Sequence, residues 1–146
     1  MLVTLKKLPA IDLGKDLSIS RLTFAKALVL KLKQLDLVNE VYSFENRVHK
    51  EGNKLIDILS LDGNGGTELN KVIDRIKFND KNALIITDAE DNCCTYSDKA
   101  FFIGVSGARF NSFDTHVLKE YHSKKQMVIF DGNRVLNVNE KGYAIK

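Results

Sequence analysis

Apolar and polar positions divide the chain into strands and helices almost from its first residue. "MLVTLKKLPAID" predicts a strand running to Asp12: Leu2, Thr4 and Lys6 interleave with Val3, Leu5 and Lys7, and the run closes on Leu8, Ala10 and Ile11. The turn formers of "LGKDLSIS" come next. From Ser20 to Leu35 the spacing predicts a helix, with Leu22, Ala25, Val29 and Leu32 on one stripe and Phe24, Leu28 and Leu35 widening it. Ser18 or Ser20 supplies its N-cap. Val38–Phe44 predicts a strand that turns into a partner, and Leu55–Leu61 a strand or a short helical turn. After the glycine-rich turn "DGNGGT", the segment "TELNKVIDRIK" predicts a helix with Leu69, Val72, Ile73 and Ile76 on one face. "NALIITD" predicts a buried strand ending at Asp88, and "KAFFIGVSG" is another apolar run of strand length. "SFDTHVLKEYHS" predicts a short helix with Val117, Leu118 and Tyr121 inward. "QMVIFDGNRVLNV" predicts two short strands across a "DG" turn.

Strands and helices alternate, and the strand cores are continuous apolar runs rather than clean two-residue alternations. Both features predict an α/β fold: a compact three-layer α/β/α arrangement, Rossmann-like, with a mainly parallel central sheet. In such folds ligands bind outside the carboxyl ends of the strands. The residues just after each strand are therefore where chemistry is expected.

Composition narrows the class. The chain has 146 residues, 44% hydrophobic and 28% charged, which suits one globular domain over 1–146. No apolar run approaches the roughly 20 residues of a membrane helix. The start has lysines inside its apolar run, unlike a secretory signal. The expectation is a cytoplasmic protein, or one packed into a virion or other particle. The net charge of +3 is unevenly spread: residues 51–100 carry 6 basic and 10 acidic side chains, against 9 and 5 in residues 1–50 and 7 and 4 in residues 101–146. An acidic middle in a basic chain suits a local cation site better than a phosphate-binding face. Lys6/Lys7, Lys31/Lys33 and Lys124/Lys125 are scattered without interleaved aromatics and read as solvated surface, so no nucleic-acid partner is expected.

Cys93 and Cys94 are adjacent, so they form neither a disulfide framework nor a zinc knuckle; two reduced thiols are expected. His49, His116 and His122 are scattered, and the last two do not share a helix face as a ligand pair would. Gly63, Gly65 and Gly66 lack the Lys-Ser/Thr ending of a nucleotide-binding loop.

Three predicted loops carry oxygen ligands: Asp12 to Asp16 with Ser18 and Ser20, Asp62 to Thr67, and Asp88 with Glu90, Asp91 and Asn92. In a parallel sheet all three fall on one edge. A hard divalent ion takes such a mixture of carboxylate, hydroxyl and water. An aspartate after a strand also serves as a turn or helix cap, and Glu90 and Asp91 read as solvated or capping residues.

The order strand–Asp, long helix, strand, "GGTEL" with a helix and "IITDAEDN" resembles the von Willebrand factor A domain family, over Leu8 to about Gly107 and more loosely to the end. That family's metal-ion-dependent adhesion site combines a D-x-S-x-S motif, a threonine in a G-G-T loop and an aspartate in a T-D-G-type loop. The resemblance carries Thr67 and Asp88 into the last two roles. For the first, "DLSIS" (Asp16, Ser18, Ser20) matches letter for letter, whereas "DLGKD" (Asp12, Gly14, Asp16) follows the better strand end. The second register is preferred and makes the first motif degenerate, with glycine and aspartate in place of the two serines.

The resemblance implies Asp12, Asp16, Thr67 and Asp88 as the metal ligands and Mg²⁺ as the ion, with Mn²⁺ or Ca²⁺ as alternatives. It also implies a non-enzymatic module or assembly subunit whose protein partner donates an Asp or Glu to the ion. Two other readings stand beside it. One is a structural particle component with a metal-free site. The other is a Mg²⁺-dependent phosphohydrolase with Asp12 as nucleophile and Asp88 as metal ligand. The hydrolase reading lacks the second aspartate of a D-x-D motif and a placed general acid.

Overall fold

The computed structural model describes residues 2–5, 21–44, 48–51, 69–105, 107–130 and 134–145. The predicted run of the first strand to Asp12 and the Leu55–Leu61 segment lie outside the described residues. Within them, seven strands form one sheet: β1 (Leu2–Leu5), β2 (Val38–Phe44), β3 (Val48–Glu51), β4 (Ala83–Thr87), β5 (Ala100–Gly104), β6 (Met127–Phe130) and β7 (Val135–Asn137). Their order is β3-β2-β1-β4-β5-β6-β7. The helices are α1 (Arg21–Gln34), α2 (Leu69–Asn79) and α3 (Thr115–Ser123), with a 3-10 turn at Phe110–Ser112. None of these helices is long and apolar enough to cross a membrane.

The α/β class follows the sequence pattern. The parallel heart is β4-β5-β6, with Thr87 beside Gly104 and Gly104 beside Ile129. Every residue of β4 is buried, as expected for a strand covered on both faces. Ala83 and Ile85 share one core cluster with Phe102, Met127 and Ile129, α2 residues Leu69, Val72, Ile73 and Ile76, and α3 residues Val117, Leu118 and Tyr121. Leu84 and Ile86 point the other way, clustering with Ile103, Val105, Phe130 and α1 residues Leu28, Val29 and Leu32. A period of two along β4 thus splits the core between two sets of helices.

The sheet turns antiparallel outside that heart. β6 pairs antiparallel with β7, and β2 with β3, while the predicted "DG" turn lies outside the described residues. β1 is antiparallel to both β2 and β4, with Leu2 opposite Ile85 and Thr4 opposite Ala83. Leu5 therefore lies toward the beginning of β4, and the chain leaves β1 at the sheet edge opposite Asp88. A four-residue strand with a long connection to its neighbour can pair in either direction, so the alternation of elements does not fix its sense.

Each of the three described helices ends on a left-handed residue that feeds the next strand. Asp36 has φ 56°, its N–H donates to the Lys33 carbonyl at 2.9 Å, and the Leu37 N–H donates to the Leu32 carbonyl at 3.1 Å. This is a Schellman ending, and Leu37 and Leu32 share a core cluster, as that motif favours. Lys125 (φ 56°) repeats it, with Gln126 N–H donating to the Tyr121 carbonyl at 2.9 Å. Asp80 (φ 52°) makes the simpler form, donating to the Ile76 carbonyl at 2.9 Å. Each ending delivers the chain directly into β2, β6 or β4.

No helix intervenes between the parallel strands β4 and β5; residues 88–99 cross instead as an irregular segment. Buried polar groups hold it down. The Tyr121 hydroxyl donates to the Thr95 carbonyl at 3.1 Å and accepts from Ser97 N–H at 3.0 Å. The Gln126 amide donates to the carbonyls of Ser97 and Ala100 at 2.9 and 2.8 Å and accepts from the Tyr96 hydroxyl at 2.6 Å. A buried network with its partners satisfied rigidifies rather than destabilises.

Candidate functional site

The end of β4 is a tight polar turn. Thr87 is buried, and its hydroxyl accepts from Ala89 N–H at 3.1 Å. Asp88 Oδ1 accepts from Glu90 N–H at 3.2 Å, an aspartate-type turn of the kind that mimics a backbone turn. Between them Ala89 sits at φ 60°, a conformation that costs an L-residue roughly 1–2 kcal/mol. Its methyl is fully buried in the α2/α3-side cluster, which helps offset that cost. Asp88 is thereby fixed, half-buried, at the carboxyl edge of the parallel strands.

Around it lies an open recess of about 300 Å³ lined by Asp88, Glu90, Gly107, Arg109, Asn111 and Ser112. The far wall is built by the chain after β5. Val105 N–H donates to the Thr87 carbonyl at 3.0 Å, and Ala108 N–H turns back to the Val105 carbonyl at 2.8 Å. This close return needs a glycine at 104, where a Cβ would stand 2.8 Å from the Ala108 Cβ. The 3-10 turn is seated by the C-terminal hairpin, in which Val138 bridges Ala144 antiparallel: Phe110 N–H donates to the Gly142 carbonyl at 2.8 Å, and Gly142 (φ 91°) leaves no room for a side chain against Phe110 and Asn111. The same hairpin places the Tyr143 ring 5.8 Å from the Arg109 guanidinium, a cation–π contact at the recess rim.

The β4 loop is stitched to its neighbours on both sides. Toward the 3-10 turn, Asn92 Nδ2 donates to the Ser112 carbonyl at 3.1 Å and to Asp114 Oδ1 at 3.0 Å, while Asp114 N–H donates to the Cys93 carbonyl at 3.0 Å. Asp114 stands at the N-cap of α3, yet its carboxylate serves Asn92 rather than its own helix. Phe113 is extended (φ −68°, ψ 146°), so the predicted helix from Ser112 divides into a 3-10 turn and α3. Toward α2, Leu69 N–H donates to Asp91 Oδ2 at 3.3 Å, and Asn70 Oδ1 accepts from Cys94 N–H at 2.9 Å and from the Thr95 hydroxyl at 3.1 Å.

The two cysteines are free, as expected, and differ in reactivity. Cys93 is buried, and burial pushes its thiol up from 9.0 to about 11. Cys94 is exposed. A small alkylating reagent at pH 8 will therefore modify Cys94 alone in the native protein and both thiols after unfolding, as mass spectrometry will read. Rapid double labelling of the native chain would contradict the burial. Between pH 9 and about 11 the unfolded chain loses a proton that the folded Cys93 retains. This contribution to stability is whole below 9.0 and falls as pH rises through that window.

Of the four residues expected to bind a metal, Asp88 is described and stands at the carboxyl edge; Asp12, Asp16 and Thr67 lie outside the described residues. Among the described residues no three His, Cys, Asp or Glu side chains gather into a metal-binding group. Glu90 lines the recess, and Asp91 serves as an acceptor at the start of α2. Sequence reasoning missed Arg109, Asn111 and Ser112, which belong to no motif; the rule that ligands meet parallel strands at their carboxyl ends points to the loop after β5 as well as that after β4. No protein-family model, curated protein or solved structure matches the chain.

Proposed function

We propose that the protein is a binding module, without turnover of its own, that engages a protein partner through a divalent cation at the carboxyl edge of β4. Asp88 is the anchoring carboxylate, with Asp12, Asp16 and Thr67 completing the ligand set and Mg²⁺ as the ion. The partner supplies an Asp or Glu side chain to a remaining coordination position. The observation that carries this reading is the placement of Asp88, held by the Thr87–Glu90 turn at the mouth of an open recess. Four side chains each bound through one oxygen leave an octahedral Mg²⁺ room for water and for an incoming acid. Arg109 at the rim adds positive charge on the side from which that acid approaches.

One observation favours a second reading, a metal-free assembly subunit that uses the same edge. β1 runs antiparallel to β4, so its last residue, Leu5, lies toward the sheet edge opposite Asp88. A pull-down in Mg²⁺ and in EDTA, with wild type and Asp88→Ala, separates the two. The cation reading expects partners that are lost both in EDTA and with the variant. An identical set in all conditions leaves the metal-free subunit.

A further inference from the structure

We infer that the recess wall at Arg109 receives an acidic side chain of a protein partner, from a segment in which that acid stands close to a basic residue. This goes beyond the cation reading of the same edge, because it needs no metal ion.

The wall is carried by the chain after β5 and by the 3-10 turn, with Arg109, Asn111 and Ser112 lining the recess. Arg109 is exposed and its backbone is extended (φ −139°, ψ 126°). Its guanidinium stands 5.8 Å from the centre of the Tyr143 ring. Such a contact steadies the planar fork and leaves its N–H donors unspent. Among the described residues, no hydrogen bond or ion pair engages that guanidinium, the Asn111 amide or the Ser112 hydroxyl. The backbone beneath them is committed instead: Phe110 N–H donates to the Gly142 carbonyl at 2.8 Å, and the Ser112 carbonyl accepts from Asn92 Nδ2 at 3.1 Å. Three side chains with donors to offer thus share one braced wall at the carboxyl edge of the parallel strands. A guanidinium meets a carboxylate through two parallel N–H···O bonds, which a point charge cannot do.

The other wall selects which acid enters. Asp88 and Glu90 set two carboxylates against the one guanidinium. A bare anion is drawn by one charge and opposed by two, and the doubled charge of a phosphate enlarges that imbalance. An ammonium or guanidinium carried beside the acid turns the opposition into attraction. The recess, about 300 Å³, is at the small end for a ligand pocket, which suits short side chains better than a cofactor. In an extended chain, residues two apart point to the same side. A partner segment of the pattern Lys-x-Glu therefore addresses both walls at once.

The test is titration of ¹⁵N-labelled protein in EDTA with the capped peptide acetyl-Lys-Gly-Glu-amide, with its Glu→Gln counterpart, and with inorganic phosphate. The expected result is a saturable shift of the Gly107, Arg109, Asn111 and Ser112 amides with the first peptide and none with the second. Arg109→Ala is expected to weaken binding about 10-fold or more, since a hydrogen-bonded charge is lost. Arg109→Lys should recover only part of it, because the fork is missing. Tyr143→Phe, which keeps the ring, should bind like wild type, and Tyr143→Ala should bind more weakly. Undiminished binding in Arg109→Ala, equal shifts with both peptides, or no shift with either would overturn the inference. Tighter binding of phosphate than of the peptide would make the wall a general anion site and overturn it as well. Because no cation is present, a failure here leaves the Asp88 cation reading standing, and a failure to bind Mg²⁺ leaves this inference standing.

Discussion

Replacing Phe102 by alanine will remove a large part of the fold's stability. Phe102 lies at the middle of β5, fully buried, and meets three other rings edge-on: Phe110 at 6.0 Å, Phe113 at 5.2 Å and Tyr121 at 5.0 Å. Phe110 and Phe113 also pack together at 5.4 Å, and Phe113 meets Tyr121 at 6.2 Å, so Phe102 is the common member of a closed aromatic cluster. A buried Phe→Ala change costs about 3–5 kcal/mol through lost transfer energy and the cavity left behind. Against the 5–15 kcal/mol typical of a whole domain, that is a large fraction. Urea unfolding should show the midpoint lowered by about 1 M or more, with the slope unchanged. The control is Phe78→Ala: Phe78 is 90% exposed at the end of α2, and its removal should change stability by no more than about 0.5 kcal/mol. Equal effects at the two positions would refute the placement of β5 in the core. The cluster also bears on the recess, since Phe110 begins the 3-10 turn and Phe113 follows it, and Asn111 and Ser112 between them line the wall.

Asp88→Ala will have the larger functional effect with a small structural one. Loss of groups that merely orient metal ligands commonly costs 10- to 100-fold in affinity. Removal of the carboxylate proposed to bind the ion directly should therefore weaken Mn²⁺ or Mg²⁺ binding by more than about 100-fold. The carboxylate accepts an exposed hydrogen bond from Glu90 N–H at 3.2 Å. A bond of that kind contributes about 1 kcal/mol, so the variant should stay folded, with a melting temperature a few degrees below wild type. Calorimetric titration and thermal unfolding on the same sample check both halves. Undiminished affinity would remove Asp88 from the site; global unfolding would make it a structural residue instead.

Much of the sheet was legible because burial writes itself into the sequence. "ALIIT" and "AFFIG" have to be covered on both faces, and β4 and β5 are. The helical spacing of Leu69, Val72, Ile73 and Ile76 and the inward set Val117, Leu118 and Tyr121 recur as buried residues of α2 and α3. The helix expected over Ser20–Leu35 forms over Arg21–Gln34. Strand direction was not legible for β1, because four residues of alternating pattern pair equally well either way. The joints around the β4 loop were hidden for a different reason. Asp91 satisfies a donor 22 positions away and Asn92 reaches Asp114 at the same sequence separation; only the folded chain brings these partners together. Arg109 reads as an ordinary surface cation until the C-terminal hairpin places Tyr143 beside it at the recess rim. Asp88 stood out because a carboxylate directly after a buried strand is conspicuous in any sequence, whereas its expected companions Asp12, Asp16 and Thr67 lie outside the described residues.

We propose a divalent ion at the carboxyl edge of β4. It is tested most directly by adding trace Mn²⁺ to ¹⁵N-labelled protein and recording which amide resonances the paramagnetic ion broadens. Selective broadening of Asp88 to Asp91 and of Gly107 to Arg109 is expected, abolished by excess Mg²⁺ and absent in Asp88→Ala. Sharp signals at those residues, or broadening that survives in Asp88→Ala, would contradict it.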